Sequence, residues 1–142
     1  MTGSVVNHIG LCVDDIDRSR RFYEELLGFE YEREIAPPDD ITGRLLQLDP
    51  PLGLRAVYLR KDDLVLELLA YAGRQRPRRE RPMDEPGLTH ISIGAEDHRS
   101  LLDRVEALGG TVVAASDIGV AVFIRDPDGQ LIELLETKRP SG

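Results

Sequence analysis

Two histidines, His8 and His90, stand 82 positions apart, and the residues around them repeat with them. Shifting the chain by 82 places lays Ile9 on Ile91, Asp15 on Asp97, Glu24 on Glu106, Leu26 on Leu108 and Gly28 on Gly110, with no gap. Towards the end of each copy a shift of 66 lays Glu67, Leu68 and Leu69 on Glu133, Leu134 and Leu135, and Asp62 on Asp128. The unequal shifts demand a longer insertion in the first copy, and residues 37–53 are the place for it. A repeat of this length constrains a fold strongly, because each copy is one supersecondary unit that cannot bury its apolar face well alone. The reading is a single domain over residues 1–142, made of module 1 (5–71), a linker (72–87) and module 2 (88–137). A chain of 142 residues suits one domain.

Each module reads β-α-β-β-β, an α+β pattern. In module 1, SVVNHIGLCV predicts a strand over residues 5–13. Side chains alternate along a strand, so His8, Gly10 and Cys12 share one face and Ile9, Leu11 and Val13 the other. Asp14 or Asp15 can cap the next helix, whose apolar stripe is Ile16, Phe22, Tyr23, Leu26 and Leu27. A strand over 29–36, a short helix in DDITGRLLQL, and the hairpin LRAVYLR–LVLELLAY around Lys61, Asp62 and Asp63 complete the module. Module 2 follows the same order: LTHISIGA, the helix DHRSLLDRVEALG, then the strands TVVAA, VAVFIRD and LIELLET. His98, at the start of its helix, has no matching histidine in module 1 and reads as an exposed surface residue. Cys12 reads as a small filler beside His8.

Composition removes several classes of function. Acids outnumber bases 26 to 18, a formal charge of −8, which argues against nucleic acid as the partner. A single cysteine excludes an intrachain disulfide framework. No apolar run approaches the ~18–20 residues that span a bilayer, and MTGSVVNHIG lacks the basic start and apolar stretch of a signal peptide. The expectation is a soluble, cytoplasmic protein that handles a small molecule, without nucleic acid or membrane.

The repeat pairs one histidine with one glutamate in each module: His8 with Glu67, His90 with Glu133. Two imidazoles and two carboxylates suit a divalent ion such as Ni, Zn, Co, Mn or Fe, and leave open positions for substrate. Gly10 and Cys12 on the face of His8, and Ser92 and Gly94 on that of His90, leave room for one. Glu67 and Glu133 lie in very apolar strands, where a carboxylate is costly to bury unless paired or bound to metal. Duplication could equally copy structural residues, so the pattern alone leaves both readings open. The linker crowds Arg74, Arg76, Arg78, Arg79 and Arg81 beside a single acid, Glu80. A solvated linker is the favoured reading, a clamp for an anionic substrate group the other.

The segments NHIGLCVDDIDRSRRFYEELLGF, LVLELLAY, GLTHISI and VFIRDPDGQLIELLE resemble the vicinal oxygen chelate superfamily, the family of glyoxalases, bleomycin resistance proteins and dioxygenases. The resemblance implies paired βαβββ modules forming an open, curved, eight-stranded mixed sheet. It implies one divalent metal held by His8, Glu67, His90 and Glu133, and a homodimer. The ligand set is closest to glyoxalase I and methylmalonyl-CoA epimerase, although GRLLQLDPPLGLRAV offers no glutamate for the additional base of the epimerases. The implied function is a metal-dependent lyase or isomerase acting on a small substrate with adjacent oxygens through an enediolate. Glu133 is the expected base and Glu67 its symmetric alternative. The other readings are an extradiol-type dioxygenase using His8, His90 and Glu133, and a non-catalytic binding or resistance protein. The linker is long enough for either arrangement of the modules, and local closure favours one chain supplying all four ligands.

Overall fold

Among the described residues, apolar side chains at alternate positions build eight strands and apolar stripes at helical spacing build three helices. The computed structural model describes residues 3–74 and 76–138. The first half holds β1 (Ile9–Cys12), α1 (Ile16–Arg21, continued by a π-helical turn at Phe22–Leu26), β2 (Glu30–Ile35), α2 (Asp39–Leu46), β3 (Leu54–Lys61) and β4 (Leu64–Tyr71). The second holds β5 (His90–Ala95), α3 (His98–Val105, with a 3₁₀ turn at Glu106–Leu108), β6 (Thr111–Val113), β7 (Ala121–Arg125) and β8 (Leu131–Glu136). Among the described residues no helix is long and apolar enough to cross a membrane.

The strands form two four-stranded mixed sheets, ordered β1-β4-β3-β2 and β5-β8-β7-β6. In each, the first strand runs parallel to the last, and the remaining pairs are antiparallel. One face of each sheet is closed by aliphatic residues: Val57, Leu59, Leu66 and Leu68 in the first, Val122, Ile124, Ile132 and Leu134 in the second, all nearly inaccessible to water. Burial of such side chains, at roughly 1.5–3 kcal/mol each, dominates the folding energy. The opposite face of each sheet carries the histidine and the glutamate.

Several strands are shorter than the sequence pattern predicts, two of them for visible reasons. The strand expected over 5–13 pairs only from Ile9 to Cys12, against Leu66–Leu69 of β4, which leaves His8 one residue before β1 and Val5 and Val6 exposed. The TVVAA strand stops at Val113, where Ser116 turns the chain. Its hydroxyl donates to the Val113 carbonyl at 2.6 Å and accepts the Phe123 N–H at 2.8 Å.

The contacts divide the chain into two units that do not coincide with the modules. One joins the stretch up to Asp17 with Gly28–Arg76, and the other joins Arg18–Leu27 with the chain from Pro77 onward. Residues 18–27 of the contiguous module 1 (5–71) thus pack in the second unit. The reason is the fit of that segment. Phe22 lies so close to Gly110 that a Cβ there would sit 2.6 Å from the ring, so only glycine serves. The Tyr23 hydroxyl donates to Asp126 Oδ2 at 2.8 Å. Arg18 and Ser19 both donate to the Asp128 carboxylate, at 3.0 and 3.3 Å. Arg104 donates to the Glu25 carbonyl at 2.8 Å.

Asp126 organises the turn between β7 and β8. Its Oδ1 accepts the backbone N–H groups of Asp128 and Gln130, at 2.9 and 2.8 Å, while its side chain is almost wholly buried. Burial raises the Asp126 pKa above the ordinary aspartate value, against the pull of the Gln130 N–H and the Tyr23 hydroxyl. A carboxyl raised on folding contributes stability that is full below its unfolded pKa and lost as pH rises through the folded one. Stability of the wild type relative to Asp126→Asn is therefore expected to fall between about pH 4 and pH 7. Urea denaturation at the two pH values checks this, and a difference that is constant or grows with pH contradicts it.

Candidate metal centre

In the first unit the register Gly10↔Glu67 places the glutamate opposite a residue with no side chain. A Cβ at Gly10 would stand 3.3 Å from Leu69 Cδ1 and 3.9 Å from Glu67 Oε1, so a side chain there would crowd the carboxylate. His8 approaches the carboxylate from the start of β1, with Nε2 3.4 Å from Glu67 Oε1. Its other ring nitrogen, Nδ1, lies 2.6 Å from the Asn7 amide oxygen. An amide oxygen only accepts, so Nδ1 donates to it, and Nε2 is the ring atom turned towards the carboxylate. The hydroxyl of Tyr58, from β3, donates to Glu67 Oε2. Burial first, then the bond to Glu67 and that group's charge, push the Tyr58 hydroxyl up to about 12, against a smaller opposing effect of Arg33. Tyr71 lies on the same face, its pKa raised by burial and by the Cys12 and Glu67 charges.

The second unit repeats this register. Ser92 stands opposite Glu133, and His90 opposite Leu131. The Ser92 hydroxyl donates to Glu133 Oε1 at 2.7 Å. His90 Nδ1 lies 2.8 Å from the Thr89 hydroxyl, and Gln130 Nε2 holds the Thr89 carbonyl at 3.0 Å. Leu131 and Leu135 flank Glu133 along its own face of β8.

The structure thus brings His8 and Glu67 into direct contact and sets His90 and Glu133 on one face of neighbouring parallel strands. Among the described residues it gathers no group of three or more His, Cys, Asp and Glu side chains that could hold a metal. The donor chemistry of the His8–Glu67 pair fits a cation. Two atoms each about 2.1 Å from a common ion lie about 3.0 Å apart at a right angle and about 3.4 Å apart at the tetrahedral angle. The observed 3.4 Å falls in that range. In each unit the histidine's remote nitrogen has its own partner, the arrangement that orients a metal-ligating imidazole.

Three residues differ from the sequence reading or escaped it. His98 is buried, 3% exposed, with Nε2 2.9 Å from the Gly119 carbonyl, and is not the surface residue expected. The 82-residue shift lays it on Ile16, itself buried, so the repeat held the signal. Tyr58 was legible by counting back from the hairpin: Lys61 pairs with Leu64, which puts Tyr58 opposite Glu67. Ser92, which the sequence marks only as a small residue beside His90, holds Glu133 through its hydroxyl. Cys12 is exposed on the face of His8. Within the linker Arg74 reaches the carbonyls of Asp49 and Pro51, while Arg79 and Arg81 pair with Glu85. These three arginines hold the chain itself, as a structural linker requires.

Residues 5–134 match the model of the glyoxalase/bleomycin resistance protein/dioxygenase superfamily, and the chain belongs to that family. It is 28% identical over 147 aligned positions to the "Probable lactoylglutathione lyase" of Vibrio parahaemolyticus, covering 99% of this chain and 96% of that protein. A glyoxalase family protein of Bacillus cereus shares the fold, with a TM-score of 0.76 at 19% identity over 94% of this chain and 96% of its own. The trypanothione-dependent glyoxalase I of Leishmania major superposes with a TM-score of 0.67 at 29% identity, over 90% and 83% of the two chains.

Because His98 is a buried hydrogen-bonding residue, His98→Ala is expected to cost about 1–3 kcal/mol of stability and to leave divalent-metal affinity unchanged. Chemical denaturation beside metal titration checks both, and loss of metal affinity at constant stability contradicts the assignment.

Proposed function

We propose that this chain is a metal-dependent lyase or isomerase of the glyoxalase type, and that His8, Glu67, His90 and Glu133 are the ligands of its ion. The observation that carries the reading is the His8–Glu67 pair, an imidazole nitrogen and a carboxylate oxygen 3.4 Å apart, each group fixed from behind by a hydrogen bond. The Vibrio relative supports the substrate class. Lactoylglutathione is a hydroxy thioester with oxygens on adjacent carbons. Moving one carbon-bound proton between those carbons interconverts it with the hemithioacetal of a 2-oxoaldehyde and the thiol. The proposed substrate is a small molecule of that kind. The protein acts as a cytoplasmic homodimer.

Held by these residues, a divalent ion (Ni, Zn, Co, Mn or Fe) would supply Lewis-acid stabilisation of the negative charge that such a proton transfer develops on the substrate oxygens. Glu133 is the proposed base. The Ser92 hydroxyl holds its Oε1 at 2.7 Å and leaves Oε2 to take the proton and return it. Glu67, at the equivalent register position, is the alternative base. His8 and His90 serve as neutral ligands oriented by Asn7 and Thr89.

Purified protein supplied with a 2-oxoaldehyde and glutathione is expected to form the hydroxy thioester, to stop when treated with a chelator, and to resume with one of these metals. Glu133→Gln is expected to lower kcat/KM by about 10²-fold or more. Undiminished turnover after complete metal removal, or no turnover of any such adduct under any of the five metals, contradicts the proposal.

A further inference from the structure

The two units share one backbone register around their glutamates but support them differently. Tyr58 lies opposite Glu67 across β3 and β4, and Phe123 lies opposite Glu133 across β7 and β8. Both rings stand edge-on to the neighbouring histidine. The His8–Tyr58 centroids are 5.5 Å apart at 87°, and the His90–Phe123 centroids 5.2 Å apart at 87°. The aromatic ring is common to both units, so the hydroxyl is the difference. Tyr58 donates to Glu67 Oε2. Phe123 has nothing to donate, and Glu133 takes its bond from Ser92 on the other neighbouring strand, where the first unit has Gly10.

We propose that Tyr58 is a positioning residue whose hydroxyl holds the Glu67 carboxylate with Oε1 turned to His8, making Glu67 the rigid metal ligand of the two glutamates. The inference rests on the metal-centre reading above. The ring is well placed for this task. It is 6% exposed and packs in a cluster with Ala56 and Val65, against Ile35 and Leu69. The Arg33 guanidinium lies 4.3 Å over its other face. Swinging the ring away would open that cluster, so the hydroxyl is a fixed donor. A glutamate side chain otherwise samples many rotamers, and fixing them before the ion arrives favours binding. Serine, short and able to rotate its hydroxyl, gives Glu133 a looser hold.

The test uses full-length protein freed of metal by chelation and titrated with cobalt(II), followed by calorimetry and visible absorption, for wild type, Tyr58→Phe and Glu67→Gln. Tyr58→Phe keeps the ring and its packing. It is expected to hold the wild-type melting temperature within a few degrees, to bind cobalt about 10–100-fold more weakly, and to alter the cobalt absorption bands. A hydroxyl of purely structural importance would lower the melting temperature and leave cobalt affinity intact, and that result overturns the inference. If Tyr58→Phe binds as wild type does while Glu67→Gln loses affinity, the inference fails and the metal-centre reading stands. Wild-type protein that binds no cobalt overturns both.

Discussion

The parallel pairing of the first strand with the last in each unit determines where every candidate ligand lies. Gly10↔Glu67 and Ser92↔Glu133 are the same register in the two copies. A parallel pair needs a long connection between its members, and here a helix and two antiparallel strands provide it. The side-chain period of a strand is two, so a slip of one residue would turn each glutamate into the aliphatic layer and bring a leucine or isoleucine to the histidine. The register is held by burial on the opposite face, where Leu66, Leu68, Ile132 and Leu134 are fully covered.

Around this conserved frame the copies have diverged in their polar side chains. The first unit supports its carboxylate with the Tyr58 hydroxyl, the second with that of Ser92. The turn before the last strand differs as well. Asp128 and Gly129 occupy the positions of Asp62 and Asp63, and only the second copy is organised from within by a buried carboxylate, Asp126. That carboxylate is also the anchor of Tyr23, on a segment that belongs to the first repeat in sequence and to the second unit in space. Repetition builds the scaffold, and its imperfections supply the chemical differences between the two halves.

Much of the scaffold was legible because it rests on periodicity. The buried stripe Ile16, Phe22, Tyr23, Leu26 and Leu27, the hairpin around Asp62, and the division of His8, Gly10 and Cys12 from Ile9, Leu11 and Val13 are local consequences of helix and strand geometry. What escaped depends on tertiary choices. Periodicity says that Phe22 and Tyr23 are buried but not against which sheet, and it takes Gly110 and Asp126 to decide that. Nor does it say that β1 begins after His8, because strand length is set by the partner strand. Taken alone, a histidine at a helix start reads as a surface residue, whereas the equivalence of His98 to Ile16 places it in the core.

The proposed centre rests on one claim, that both histidines and both glutamates serve the same ion. X-ray absorption spectroscopy of protein loaded with one equivalent of nickel or cobalt tests it most directly. The account predicts a shell of nitrogen and oxygen at about 2.0–2.2 Å, with the multiple scattering of two imidazoles, falling to one imidazole in either His8→Ala or His90→Ala. An unchanged spectrum in either variant, or a sulfur ligand from Cys12, would contradict it.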